Sequence, residues 1–137
     1  MSSKPFRIEP NVNLDNEHFW RGGKDDKLYF LCCCECETLI HPPQPICPQC
    51  LSKKLQPKAV SGRATVYSYT VNHHSWIPGF DPPYVVALVA IAEDPSVRLM
   101  TNIVNCAIEE VDIGMPVKVC FEKLEHDIYL PLFEPMP

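Results

Sequence analysis

The stretch FLCCCECETLIHPPQPICPQC, residues 30–50, carries six of the chain's eight cysteines and decides how the first part of the chain folds. A tetrahedral metal site needs two pairs of thiolates. A Cys-x-x-Cys turn presents two sulfurs to one ion while its backbone N–H groups bond to them. Cys47-Pro-Gln-Cys50 is such a turn, and among the four crowded cysteines before it only Cys33 and Cys36 repeat the spacing. The expected ligand set is therefore Cys33, Cys36, Cys47 and Cys50. Cys34 falls inside the first turn and points away, and Cys32 sits on the strand that leads into it. Four thiolates close the shell and leave no position for a reacting water, so the expected ion is one structural Zn2+ per chain. Two features depart from the usual pattern. Glu37 and Leu51 follow the second cysteine of each turn, where glycine is common, and only ten residues separate Cys36 from Cys47. The competing reading is a redox or disulfide cluster.

Around this stretch the sequence divides into three. Residues 1–28 form an N-terminal extension in which DNEHFWRGG offers Asp15 or Asn16 as the cap of a short helix and Gly22-Gly23 as its stop. Residues 29–58 form the ribbon, with KLYFLCC as a strand and LIHPPQPI as a proline-stiffened crossing. From Lys53 to Arg63 four basic residues occur without an acidic one, which reads as a solvated linker rather than an anion site. Residues 59–137 then change texture to five short strands, at 63–71, 84–92, 97–103, 116–124 and 128–133, with a brief helical turn within 107–114. Five strands and little helix indicate a small closed barrel. In the fourth, Val117, Val119 and Phe121 alternate with Lys118, Cys120 and Glu122, the period of a half-buried strand. The fold class is mainly β.

A chain of 137 residues with 46% apolar content suits a folded globular protein. No apolar run approaches the roughly 20 residues of a membrane-spanning helix, and the N-terminus lacks the apolar core of a secretory signal. The expectation is a cytoplasmic protein without membrane contact. A formal charge of −5 argues against nucleic acid as a partner.

The chain resembles a known family, the acyl-CoA-associated proteins that join a rubredoxin-like zinc ribbon to an OB-fold, catalogued as family 35 among domains of unknown function. The resemblance rests on EHFWRGG, CECETLIHPPQPICPQC, SGRATVYSYTV, PGFDPPYVVALVAI, DIGMPVKVCFE and LPLFEP, and it covers nearly the whole chain. The family's metal positions fall on Cys33, Cys36, Cys47 and Cys50. The resemblance implies a non-catalytic accessory or scaffold subunit of a thiolase-like or ketosynthase-like enzyme, such as an acyltransferase, thiolase or aldolase, or of an enoyl-CoA hydratase. Such a subunit bridges catalytic subunits and helps accommodate the pantetheine arm of a CoA thioester.

The residues themselves supply no catalytic constellation. Cys106 and Cys120 read as small buried apolar side chains, and His73 and His74 as surface or hydrogen-bonding groups, with general base the weaker reading for both. The loop NHHSWIPGFDPPY, residues 72–84, sets His73, His74, Trp76, Pro78, Phe80 and Tyr84 on a stiff backbone suited to a partner or ligand surface, because little conformational entropy is lost on binding. Phe19 and Trp20 on the N-terminal helix are a second candidate partner surface. The alternatives are a nucleic-acid-binding OB module, using Tyr67 and Tyr69 to stack bases, and a stand-alone hydratase-type enzyme using His73 or His74.

Overall fold

The computed structural model describes residues 7–137; the first six residues of the N-terminal extension lie outside the described residues. The N-terminal helix is α1, Glu17–Arg21, and Asn16 stands at its N-cap. Asn16 makes no side-chain cap bond; in the turn that leads into the helix the Asn13 side chain accepts from the N–H groups of Asp15 and Asn16, at 2.9 and 3.0 Å. Gly22 and Gly23 do not end the helix in a left-handed turn. They continue into a 3-10 turn, Gly22–Asp25, closed by Asp26 at φ 57°. Their role is close approach, since a Cβ on Gly23 would lie 2.4 Å from the Tyr129 Cβ.

The ribbon is a three-stranded antiparallel sheet in the order β2-β1-β3, with β1 Leu28–Cys33, β2 Leu39–Ile40 and β3 Leu55–Val60. Strand β3 corrects the expectation of a solvated linker between Lys53 and Arg63. It pairs with the full length of β1, from Leu28 opposite Val60 to Cys33 opposite Leu55. Its middle four side chains remain exposed, so main-chain pairing fixes it and no apolar alternation announces it.

The barrel is closed, in the order β4-β5-β6-β8-β7, and consists of β4 Arg63–Asn72, β5 Tyr84–Ile91, β6 Arg98–Ile103, β7 Pro116–Lys123 and β8 Tyr129–Pro135. These are the five expected strands with small shifts at their ends. The expected turn is a 3-10 turn at Ile108–Glu110. A parallel contact of Ile103 with Phe133 closes the cylinder, which leaves no free sheet edge. Inside stand Val66, Val85, Val89, Val117 and Phe133, all buried. Val117 faces inward as the alternation in β7 requires, whereas Val119 and Phe121 are only half-buried. Cys106 and Cys120 are half-buried rather than buried. Burial, with Glu134 beside it, pushes the Cys120 thiol up to about 12.

One core runs from barrel to ribbon, because Phe19 of α1 and Leu28 and Phe30 of β1 pack with the barrel side chains. The Phe19 and Phe30 rings stack with centroids 6.1 Å apart. Leu31, Cys33, Ile40 and Cys47 form a second, smaller cluster inside the ribbon. Among the described residues no helix is long and apolar enough to cross a membrane.

Candidate metal centre and adjoining groove

The two Cys-x-x-Cys turns are built alike. After the first, Glu37 N–H donates to Cys33 O at 2.9 Å and Cys33 N–H to Thr38 O at 3.0 Å; after the second, Leu51 N–H donates to Cys47 O and Cys47 N–H to Ser52 O, both at 2.9 Å. Glu37 and Leu51 take φ of 61° and 65°, the left-handed conformation for which glycine is the usual choice. The equivalent turns bring Cys33, Cys36, Cys47 and Cys50 together, with all four sulfurs within 4.8 Å of one another. Cys33 Sγ lies 3.5 Å from Cys50 Sγ, and Cys36 Sγ lies 3.6 Å from Cys47 Sγ. A tetrahedron with metal–sulfur bonds of about 2.3 Å has edges of about 3.8 Å, so the sulfurs already stand at coordination spacing.

Hydrogen bonding from the Thr38 hydroxyl, then from its backbone N–H, holds the Cys36 thiol down at about 6. The Ser52 backbone N–H pulls Cys50 the same way, but the thiols of Cys33 and Cys36 outweigh it and push Cys50 up to about 12. A divalent cation among the four sulfurs removes this competition for protons by favouring every thiolate at once. The two spare cysteines are not among the grouped sulfurs. Cys34 is exposed within its turn, and Cys32 is buried on β1, where burial raises its thiol.

A groove of about 540 Å³ adjoins the ribbon. Its walls include Trp20 of α1, Pro42 of the ribbon, Ile77 and Phe80 of the 72–84 loop, and Met100 and Asn102 of β6. Arg7 closes one side: its Nε donates to Glu122 Oε2 and its Nη1 to Asn102 Oδ1, both at 2.9 Å, and its guanidinium covers the Phe80 ring at 4.4 Å. Asn102 in turn donates to Val85 O, tying the clamp to β5. Sequence reading passed over Arg7, because its partners lie 95 and 115 residues away and its own segment carries no periodic pattern.

The 72–84 loop separates its aromatic residues. Trp76 is 69% exposed, and its Nε1 donates to Asn72 Oδ1 at 2.7 Å while the His74 ring packs against it at 4.3 Å. Phe80 folds back beneath Arg7 and against Tyr84, with ring centroids 4.4 Å apart, and both are half-buried. Pro78 is exposed at the tip beside Gly79, whose φ is 87°. His73 and His74 are exposed, and among the described residues neither imidazole is hydrogen-bonded to a carboxylate. On α1, Phe19 is 4% exposed and belongs to the core, whereas Trp20 reaches the groove.

Comparison with known proteins matches residues 20–56 to the model described as "ChsH2, rubredoxin-like zinc ribbon domain" and residues 57–122 to "ChsH2, C-terminal OB-fold domain". The chain is 40% identical, over 96% of its length, to a probable enoyl-CoA hydratase alpha subunit of Thermomonospora curvata, of which it spans 41%. It is 35% identical to a DUF35 domain-containing scaffold protein of Methanocaldococcus jannaschii, with 69% of this chain and 67% of that protein aligned. Among solved structures, one described as "Ltp2-ChsH2(DUF35) aldolase" superposes with a TM-score of 0.83 at 40% identity, over 93% of this chain and 98% of the other. The chain thus spans less than half of the hydratase subunit but most of the scaffold protein, and with ribbon and barrel both matched it belongs to the DUF35 family of zinc-ribbon and OB-fold proteins.

Proposed function

We propose that the protein is a non-catalytic scaffold subunit of a thiolase-like acyl-CoA enzyme, joined to its catalytic partner through the 72–84 loop and holding one structural Zn2+ at Cys33, Cys36, Cys47 and Cys50. The observation that carries this reading is the match over nearly the whole chain to the DUF35 component of a structure described as an aldolase. The scaffold naming of the methanogen relative supports it too. Two features of the chain agree. Trp76 stands outward on a stiff loop, as an interface anchor does. The groove that Ile77 and Phe80 of the same loop help to line is apolar, with Asn102 and Thr101 on its wall, suited to the flexible arm of a CoA thioester.

The alternatives draw less support. Tyr67 is covered by the Arg98 guanidinium at 3.8 Å, Tyr69 is packed against the core, and the chain is acidic, so a base-stacking surface is poorly provided. A hydratase acting alone would need an acid or nucleophile beside His73 or His74, and neither imidazole is hydrogen-bonded to a carboxylate among the described residues. Assaying the zinc-replete protein with acyl-CoA substrates for thiolase, hydratase and acyltransferase turnover tests the reading. Activity is expected only after a thiolase-like subunit is added. Turnover by the protein alone, lost in His73→Ala or His74→Ala, would replace it with the stand-alone enzyme.

A further inference from the structure

Two histidines lie where helix, ribbon and barrel join, and each has a buried nitrogen without a hydrogen-bond partner among the described residues: Nε2 of His18 and Nδ1 of His41. The His41 ring lies against Phe19 of α1 and Phe30 of β1, with centroids 4.9 Å from each, and it lines the groove beside Pro42 and Trp20. Buried polar atoms in native folds are almost always paired, so two orphans at one junction call for an explanation. A neutral imidazole is tolerated between two phenyl rings, whereas an imidazolium there would have lost its water and gained no acceptor.

We propose that His18 and His41 form an acid-sensitive latch, which in neutral form holds α1 to the ribbon and closes one wall of the groove, and which protonation releases. The groups facing the pair do not cancel this effect. From α1, Glu17 favours charge on His18, but burial outweighs it and lowers His18. Asp15 and Lys53 share the shallow hollow beside His18. β1 contributes the uncharged Phe30 ring to His41. Arg7 across the groove is cationic and already bound to Glu122. Asp94, in the hollow on the other side of His41, is engaged by the Ser96 hydroxyl and N–H, at 2.6 and 3.0 Å. Burial first, then His18, lowers His41 from 6.5 to about 4. A lowered imidazole means that the opened state takes up more protons between those values. The closed latch is therefore fully stable above about pH 6.5 and is lost as pH falls toward 4.

Release should be local, because the ribbon has its own cluster of Leu31, Cys33, Ile40 and Cys47. The test is amide hydrogen exchange on the full, zinc-loaded chain at pH 7.5 and 5.5, corrected for intrinsic exchange, with zinc content measured at both. The Phe19 and Trp20 amides, both bonded to Asn16 O, should open about ten-fold more at pH 5.5 from His41 alone, while Val89 in β5 stays protected. The rise should vanish in the double variant His18→Gln, His41→Phe. No rise in the wild type, the same rise in the double variant, or equal loss at Val89 would overturn the latch. Should the double variant not fold, the His41 ring proton in the wild type decides by NMR: a midpoint below about 5 supports the latch and one near 6.5 refutes it.

Discussion

At the scale of single residues the proposed metal site depends on which atoms two short turns can present. Each Cys-x-x-Cys turn must pass through a left-handed residue, and here Glu37 and Leu51 occupy that position. A side chain held left-handed costs about 1–2 kcal/mol relative to the ordinary helical conformation. Glu37→Gly and Leu51→Gly should each therefore keep zinc and raise stability by up to about 1 kcal/mol, once the flexibility of glycine in the unfolded chain is set against the relieved strain. Thermal unfolding with metal analysis checks this, and a lower melting temperature in both would mean that neither position is strained. The four proposed ligands should behave in the opposite way. Cys47→Ser removes a buried sulfur from the group of four and should abolish stoichiometric zinc, with loss of the ribbon, because binding of a structural zinc to small peptides is worth about 10–16 kcal/mol. Cys32→Ser and Cys34→Ser should retain it. The grouping of four among six cysteines was legible because spacing alone restricts it. Arg7 was not legible, since a contact across 115 residues leaves no local signature.

At the scale of elements, the five barrel strands could be read because β5 and its neighbours are apolar or alternating, so burial writes itself into residue type. β3 could not, since it is held by backbone bonds to β1 and exposes Gln56, Pro57, Lys58 and Ala59. The 72–84 loop could be read only in outline. Its aromatic residues identify a rigid segment, but which ring turns outward depends on the Asn72 bond to Trp76 and on Arg7 above Phe80. The two rings should consequently respond differently to truncation. Trp76→Ala should leave zinc content and melting temperature unchanged yet weaken association with the catalytic subunit about thirty-fold, as loss of a central aromatic anchor costs about 2 kcal/mol. Phe80→Ala should lower the melting temperature, because it removes the surface on which Arg7 and Tyr84 rest. Unchanged affinity in Trp76→Ala would move the interface elsewhere, with Trp20 at the groove the next residue to test.

At the scale of the whole molecule, ribbon and barrel share one core through Phe19, Leu28 and Phe30, so the metal site and the groove are parts of a single body. Phe19 shows the limit of reading the helix in isolation. An aromatic residue on a short helix suits a partner surface equally well until the barrel is seen to cover it. Four grouped sulfurs, an apolar groove and an outward tryptophan on the 72–84 loop are the features on which the proposed scaffold role rests. The most direct test is to purify the native protein by charge and size from the cells that make it, and to identify by mass spectrometry what elutes with it. Stoichiometric co-elution with a thiolase-like subunit, in a fraction that turns over an acyl-CoA, is the predicted result. A zinc-bound protein that elutes alone and itself carries the activity would contradict it.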